Sequence, residues 1–158
     1  MSRSQSITLR PFRSADTEFF ASMASDERVA RFIGYGEPWD RQTINACVKQ
    51  SLQHEPLDTV GGSRWFLATE ANAAVGLVFC TRQESCVEVG YWVSPDQWGR
   101  GVGGAVLDST LFSIPKIYGI TKFSARVAPA NTASTRLLTS RGFRLEKRDD
   151  MLEYYTLE

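Results

Sequence analysis

The chain has 158 residues, 18 Lys plus Arg against 18 Asp plus Glu, and a formal net charge of zero. That length suits one domain, 1–158, with a sizeable core, and the charge balance offers no bulk attraction to nucleic acid or to an acidic membrane. No apolar run approaches a membrane span, and the N-terminus MSRSQS lacks the apolar core of a signal peptide, so a cytoplasmic protein is expected. Cys47, Cys80 and Cys86 lack metal-ligand spacing and read as reduced thiols, and the single His54 supplies neither a His-based triad nor a metal cluster. A metal-free chemistry that does not depend on histidine is what remains.

Ile7 to Phe12 alternates and reads as a first strand. Ser14 or Asp16 then caps a helix carrying Phe19, Phe20 and Met23. Asp26 caps a second, with Val29, Phe32 and Ile33 at helical spacing and Gly34 as its stop. A loop holds Gly36, Pro38 and Trp39. A third helix carries Ile44, Cys47, Val48 and Leu52 on one face and ends before Pro56, and Leu57 to Ser63 reads as an exposed loop. Arg64–Glu70 and Ala74–Thr81 are strands joined at Asn72. A turn at Arg82–Ser85 leads into a third strand, in which Val87, Val89, Tyr91 and Val93 alternate with Glu88, Gly90 and Trp92. The two short links imply an antiparallel meander.

After Gly101 a helix carries Val102, Ala105, Val106, Leu107, Leu111 and Ile114, and Pro115 is expected to end it. Lys122–Val127 is a strand again, so a strand, a crossover helix and a strand imply a parallel pair. Asn131–Arg141 is the last helix, with Leu137 and Leu138 inward and Gly142 closing it. Arg144–Lys147 and Leu152–Leu157 finish as a hairpin around Asp149 and Asp150. The fold class expected is α/β: a single domain with a mixed, mostly antiparallel sheet and helices on both faces.

The stretch WGRGVGG, Trp98 to Gly104, carries the chemistry. Four of the six positions 99–104 are glycine, between a strand end and a helix start. Backbone N–H groups of such a loop can converge on an anion, and the unpaired N–H groups of the first helical turn add to the attraction; the plain alternative is a glycine-rich turn that binds nothing. Arg100 adds a positive charge. Gly99, Gly101 and Gly104 spell G-x-G-x-x-G, a weak signal alone. A protein kinase needs catalytic motifs that this chain lacks. A dinucleotide site needs its first glycine at the strand end and an acidic residue ending the next strand, whereas here SPDQW intervenes and the next strand ends in Arg126-Val127-Ala128-Pro129. The third reading is pyrophosphate binding by an acyl-CoA enzyme.

WGRGVGGAVL after a GYWVSP strand resembles the acyl-CoA loop of the GNAT N-acetyltransferases, with Gly101 and Gly103 at its last two fixed positions and Trp98 where Gln or Arg is usual. A second motif supports the resemblance: Asn131 and Ser134, then Leu138 and Gly142-Phe143, spaced as the family's N-x-x-S-x-x-x-L-x-x-x-G-F. ITLRPF and DERVARFIG also look like the RimJ/RimL-type branch. The order β-α-α-βββ-α-β-α-β is similar to the GNAT fold from end to end, which implies that the parallel strands splay apart to open a cleft.

The resemblance implies acetyl-CoA as donor, with its pyrophosphate on Gly99, Arg100, Gly101, Val102, Gly103 and Gly104. It implies pantetheine pairing with backbone at Trp92 and Val93, and an N–H near Val93 polarising the thioester carbonyl. Trp98 is a further candidate cofactor contact, and Asn131 is either a contact or a helix N-cap. The amine must lose a proton before it attacks. Glu88 is the candidate base; as a strand carboxylate it also suits a pairing with Arg or Lys. Ser134 is the family-suggested acid, with Tyr154 or Tyr155 as a substitute. Trp39, Tyr35, Glu37 and the loop near Arg64 lie where this family builds its acceptor wall. In RLEKRDDMLEYY the last two strands are joined more tightly than is usual in RimJ/RimL-type enzymes. The expected function is transfer of acetyl from acetyl-CoA to a primary amine, small-molecule or peptide, by direct attack in a ternary complex. The expected state is monomer or homodimer. A non-catalytic acyl-CoA-binding sensor is the alternative.

Overall fold

The structure is a computed structural model that describes residues 6–32, 37–53, 57 and 59–158. Its strands are β1 (Ile7–Pro11), β2 (Ser63–Glu70), β3 (Ala73–Arg82), β4 (Val87–Val93), β5 (Phe123–Val127), β6 (Arg144–Arg148) and β7 (Glu153–Leu157). They form a seven-stranded sheet in the order β1-β2-β3-β4-β5-β7-β6, antiparallel except for β4 and β5. The meander is built as the short links require: Ala71 and Asn72 both take positive φ, 51° and 68°, the geometry of a two-residue hairpin whose twist matches its strands.

The helices are α1 (Thr17–Ala24), α2 (Glu27–Ala30), α3 (Arg41–Ser51), α4 (Val102–Tyr118) and α5 (Thr132–Ser140). Alternation along the strands splits the core in two. On one face Phe12, Leu67 and Leu77 pack against Phe20 and Met23 of α1 and Ile44 and Val48 of α3. On the other, Phe66, Val78, Val87 and Val89 pack against Val106 and Leu107 of α4 and Leu138 of α5. Helices therefore cover both faces, as the sequence led us to expect.

Four local expectations change. Pro115 does not end α4. Proline removes a single helical hydrogen bond there, Ile114 beside it is fully buried, and Gly119, at φ 72°, closes the last turn with its N–H on the Pro115 carbonyl at 2.8 Å. Asp16 precedes α1, but its carboxylate turns back to the Arg13 N–H and to Arg10 instead of capping the helix. Asp26 does cap α2, accepting from the Arg28 N–H at 2.8 Å, though α2 is a single turn; Ile33 and Gly34 lie outside the described residues. Leu57 is fully buried, and its carbonyl accepts from Arg82, so the segment from Leu57 is anchored rather than simply exposed.

Candidate active site

The β4–β5 ladder is short. Only Val87↔Phe123 and Glu88↔Ser124 pair, although both strands continue, and beyond that point they part. A cleft of about 640 Å³ opens between them, lined by Tyr91 and Val93 of β4, Val127 of β5, Ser134 and Leu137 of α5 and the loop before α4. The direction of the β4 backbone decides what faces it. The Val87 N–H donates to the Lys122 carbonyl on the β5 side at 3.0 Å, and the Ser94 N–H donates to the Val75 carbonyl on the β3 side at 2.9 Å. Backbone direction alternates along a strand. Val89, Tyr91 and Val93 therefore turn their N–H groups toward the cleft, and Glu88, Gly90 and Trp92 toward β3. The Val93 carbonyl accepts the Trp98 indole N–H at 2.9 Å, which fastens the loop to the end of β4.

Gly101 is the N-cap residue of α4, in the left-handed conformation at φ 80°, and no side chain caps the helix. The first intrahelical bond is Ala105 N–H to the Gly101 carbonyl, so the N–H groups before it have no helical acceptor. An added Cβ at Gly101 would meet nothing within 4 Å, whereas at Gly104 it would lie 2.6 Å from Arg141 Nη2. The glycines thus divide their work: Gly99 and Gly101 shape the turn, while Gly103 and Gly104 let α5 approach α4. A backbone anion cradle ending in a long helix fits the pyrophosphate of acetyl-CoA, and unpaired strand edges on β4 fit its pantetheine amides. Val102 is buried, so it offers only backbone there. Arg100 is engaged with Gln97 and with Glu70 at 3.5 Å.

Trp92 lines the cleft, but its ring stacks on Phe20 at 5.4 Å and 7°, with Trp39 and Phe79 edge-on. Its carbonyl faces Gly76 of β3. Asn131 caps α5, its Oδ1 accepting from the Ser134 N–H at 3.2 Å. Glu88 is ion-paired with Arg126, Oε2 to Nε 2.5 Å, where the ladder ends. It shares the Trp92 face of β4, opposite the face on which Tyr91 meets Ser134. Tyr154 neighbours Arg126 across β5 and β7 and donates to Asp149 Oδ2 at 2.9 Å, a bond that holds its phenol above the ordinary range. Tyr155 is buried and bonds Glu153. Tyr35 lies outside the described residues, and Glu37 is exposed.

Sequence reasoning missed Tyr91, whose hydroxyl lies 3.1 Å from Ser134 Oγ. The available signal was one hydroxyl in a row otherwise made of Val87, Val89 and Val93. It also missed Arg28, Phe32 and Arg136 as lining residues, because nothing local brings α2 and α5 to one cleft. Among the described residues no group of His, Cys, Asp or Glu could hold a metal ion, and no helix is long and apolar enough to cross a membrane.

In sequence, the chain is 23% identical over 145 residues, 89% of this chain and 80% of the relative, to the uncharacterized N-acetyltransferase YoaA of Bacillus subtilis. Its fold superposes on the spermidine N-acetyltransferase from Vibrio cholerae in complex with CoA and spermine, with a TM-score of 0.80, 18% identity and coverage of 98% and 96% of the two chains. It superposes similarly on the Salmonella typhimurium acetyltransferase that modifies the N-terminal serine of ribosomal protein L7/L12, with a TM-score of 0.78, 15% identity and coverage of 98% and 95%. The sequence profile of the acetyltransferase (GNAT) domain matches residues 6–144, and the chain that folds this cleft belongs to the GNAT acetyltransferases.

Proposed function

We propose that this chain acetylates a primary amine, with the amine attacking directly in a ternary complex. Acetyl-CoA supplies the thioester-bound acetyl group. The observation that carries the reading is the splayed β4–β5 cleft opening onto a helix N-terminus with no capping side chain. In this reading the loop from Gly99 to Gly104 holds the pyrophosphate, and Arg136, on the same cleft wall, adds charge for the phosphates. The Val93 N–H faces the cleft and stabilises negative charge on the acetyl oxygen. Ser134 stands beside the sulfur. Glu88, oriented by Arg126, takes the amine proton directly or through a water from the opposite face of the parted strands. Tyr154, bonded to Asp149, is the reserve donor.

The RimJ/RimL-type placement rests on the two motifs and the opening strand. The described cleft lining holds Arg28, Arg126 and Arg136, and Glu88 stands just outside it, paired with Arg126; this excess of positive charge supports a peptide terminus or a singly charged amine over a polyamine. A cytoplasmic location is supported by Cys47, Cys80 and Cys86 all being free thiols. Thiol release from acetyl-CoA across a panel of peptides, amino acids, polyamines and aminoglycosides tests the reaction. Tight binding with acetyl-CoA left intact would leave only a binding domain. Glu88→Gln should lower turnover by about a hundredfold with acetyl-CoA affinity nearly unchanged; undiminished turnover removes Glu88 as base.

A further inference from the structure

A hydrogen bond crosses the cleft from β4 to α5. Tyr91 projects from β4 and Ser134 from α5, and their hydroxyls meet at 3.1 Å. Ser134 is unlike its neighbours on α5. Thr135, Thr139 and Ser140 each donate to a carbonyl of the preceding turn, at 3.0, 2.9 and 2.7 Å, the usual fate of helical hydroxyls. The Ser134 hydroxyl is held off the helix backbone, and its N–H is already satisfied by Asn131.

We propose that Tyr91 is a positioning residue: it donates to Ser134 Oγ and so leaves the Ser134 proton aimed into the cleft, as the hydrogen-bond donor to the cofactor sulfur. The inference rests on the reading that places Ser134 beside that sulfur. The direction of the bond follows from the two hydroxyls. A phenol ionises near pH 10 and an alcohol far higher, so the phenol is the better donor. Burial pushes the Tyr91 phenol above its ordinary range, and the charge of Arg141 only partly offsets it, so it stays a protonated donor at neutral pH. Arg141 is the charged side chain facing it, fixed by Asp108 at 2.9 and 3.0 Å. Donation to Oγ polarises the Ser134 O–H and strengthens its own donation. A serine alone is a poor acid, and a serine backed by a phenol is a better partner for a departing thiolate. Both protons stay on their oxygens, so the effect is a hydrogen bond to negative sulfur.

The test uses CoA itself and needs no acceptor. The thiol of bound CoA is titrated by its ultraviolet thiolate absorbance in the unmodified chain, Tyr91→Phe, Ser134→Ala and the double variant, with melting temperature and CoA affinity measured alongside. A donor to sulfur favours the thiolate, so its loss raises the thiol pKa. Each single variant should raise it by about one unit, and the double variant by no more than either alone. Phe keeps the ring and its packing, so melting temperature should hardly move. If Ser134→Ala raises the thiol pKa and Tyr91→Phe does not, the Tyr91 role is overturned and Ser134 stands. Fully additive shifts also overturn it, since Tyr91 would then act independently. If neither variant moves the thiol, the placement of Ser134 at the sulfur has failed.

Discussion

At its start β4 is an interior strand: the Val87 N–H meets the Lys122 carbonyl, and Glu88 stands opposite Ser124 in a parallel ladder. At its end the same strand has β3 on one side and, among the described residues, no strand on the other, and Val93 meets the Trp98 indole instead. The alternation of residues is the same throughout, so side-chain pattern does not separate the two ends. The difference lies in what each end is fastened to. The closed end is held by β5 and the Glu88–Arg126 pair. The open end is held by β3 and by the aromatic face beneath it, where Trp92 stacks on Phe20. A strand that keeps its backbone partners on one side and is braced by packed aromatic rings is a ready template for a cofactor backbone, because the cost of ordering it is met in folding.

The largest expected effect comes from breaking the support of the open end. Phe20 is fully buried, with Phe12, Trp39, Trp65 and Trp92 around it at centroid distances of 4.9 to 6.3 Å. Phe20→Ala should cost about 4 kcal/mol of stability in a denaturant titration. If Trp92 holds the open end in place, acetyl-CoA affinity should also fall, although Phe20 lies outside the cleft. Stability loss with unchanged affinity would show that β3 suffices.

Next is the anion cradle. Gly101→Val places a branched residue at φ 80°, where the strain is about 1–2 kcal/mol even for an unbranched side chain. Acetyl-CoA affinity should fall about thirtyfold, near the ~2 kcal/mol upper range for a charge at a helix end. The readout is the thermal shift with acetyl-CoA, and a normal shift would remove the loop from the binding site.

The smallest effect is a control that touches neither end of β4. Burial opposes ionisation of Asp16, but the bonds from Arg10 and from the Arg13 N–H outweigh it and hold the carboxyl below the usual carboxylate range. A lowered folded value stabilises the fold fully at a pH above the unfolded value near 4, and the contribution disappears as pH falls through the folded value. Asp16→Asn should cost about 1.5 kcal/mol at neutral pH and flatten the stability profile below about pH 4. Acetyl-CoA affinity should be unchanged, and a loss of affinity would mean that the β1–α1 clamp reaches the cleft.

Much of the molecule is written locally. The strand alternation, the caps at Asp26 and Asn131, the Asn72 turn and the glycine run before α4 are each specified within a few residues, because turn chemistry and periodicity act at that range. The helix through Pro115 was not legible, since what holds the turn beyond proline is tertiary: Tyr118 and Ile120 pack against the core. Nor was the division of the four glycines, because Gly104 is explained by Arg141 and Gly101 by its own backbone.

What the sequence determined by itself is the order of elements, the loop that can cradle an anion and the family that uses it. What tertiary structure alone decided is who meets whom in the cleft: Glu88 with Arg126, Tyr91 with Ser134, Trp92 with Phe20. Each pair joins segments distant in the chain, and the first two meet around the point where the β4–β5 ladder stops. No local pattern encodes that point, because it depends on pairing between strands more than thirty residues apart in the chain.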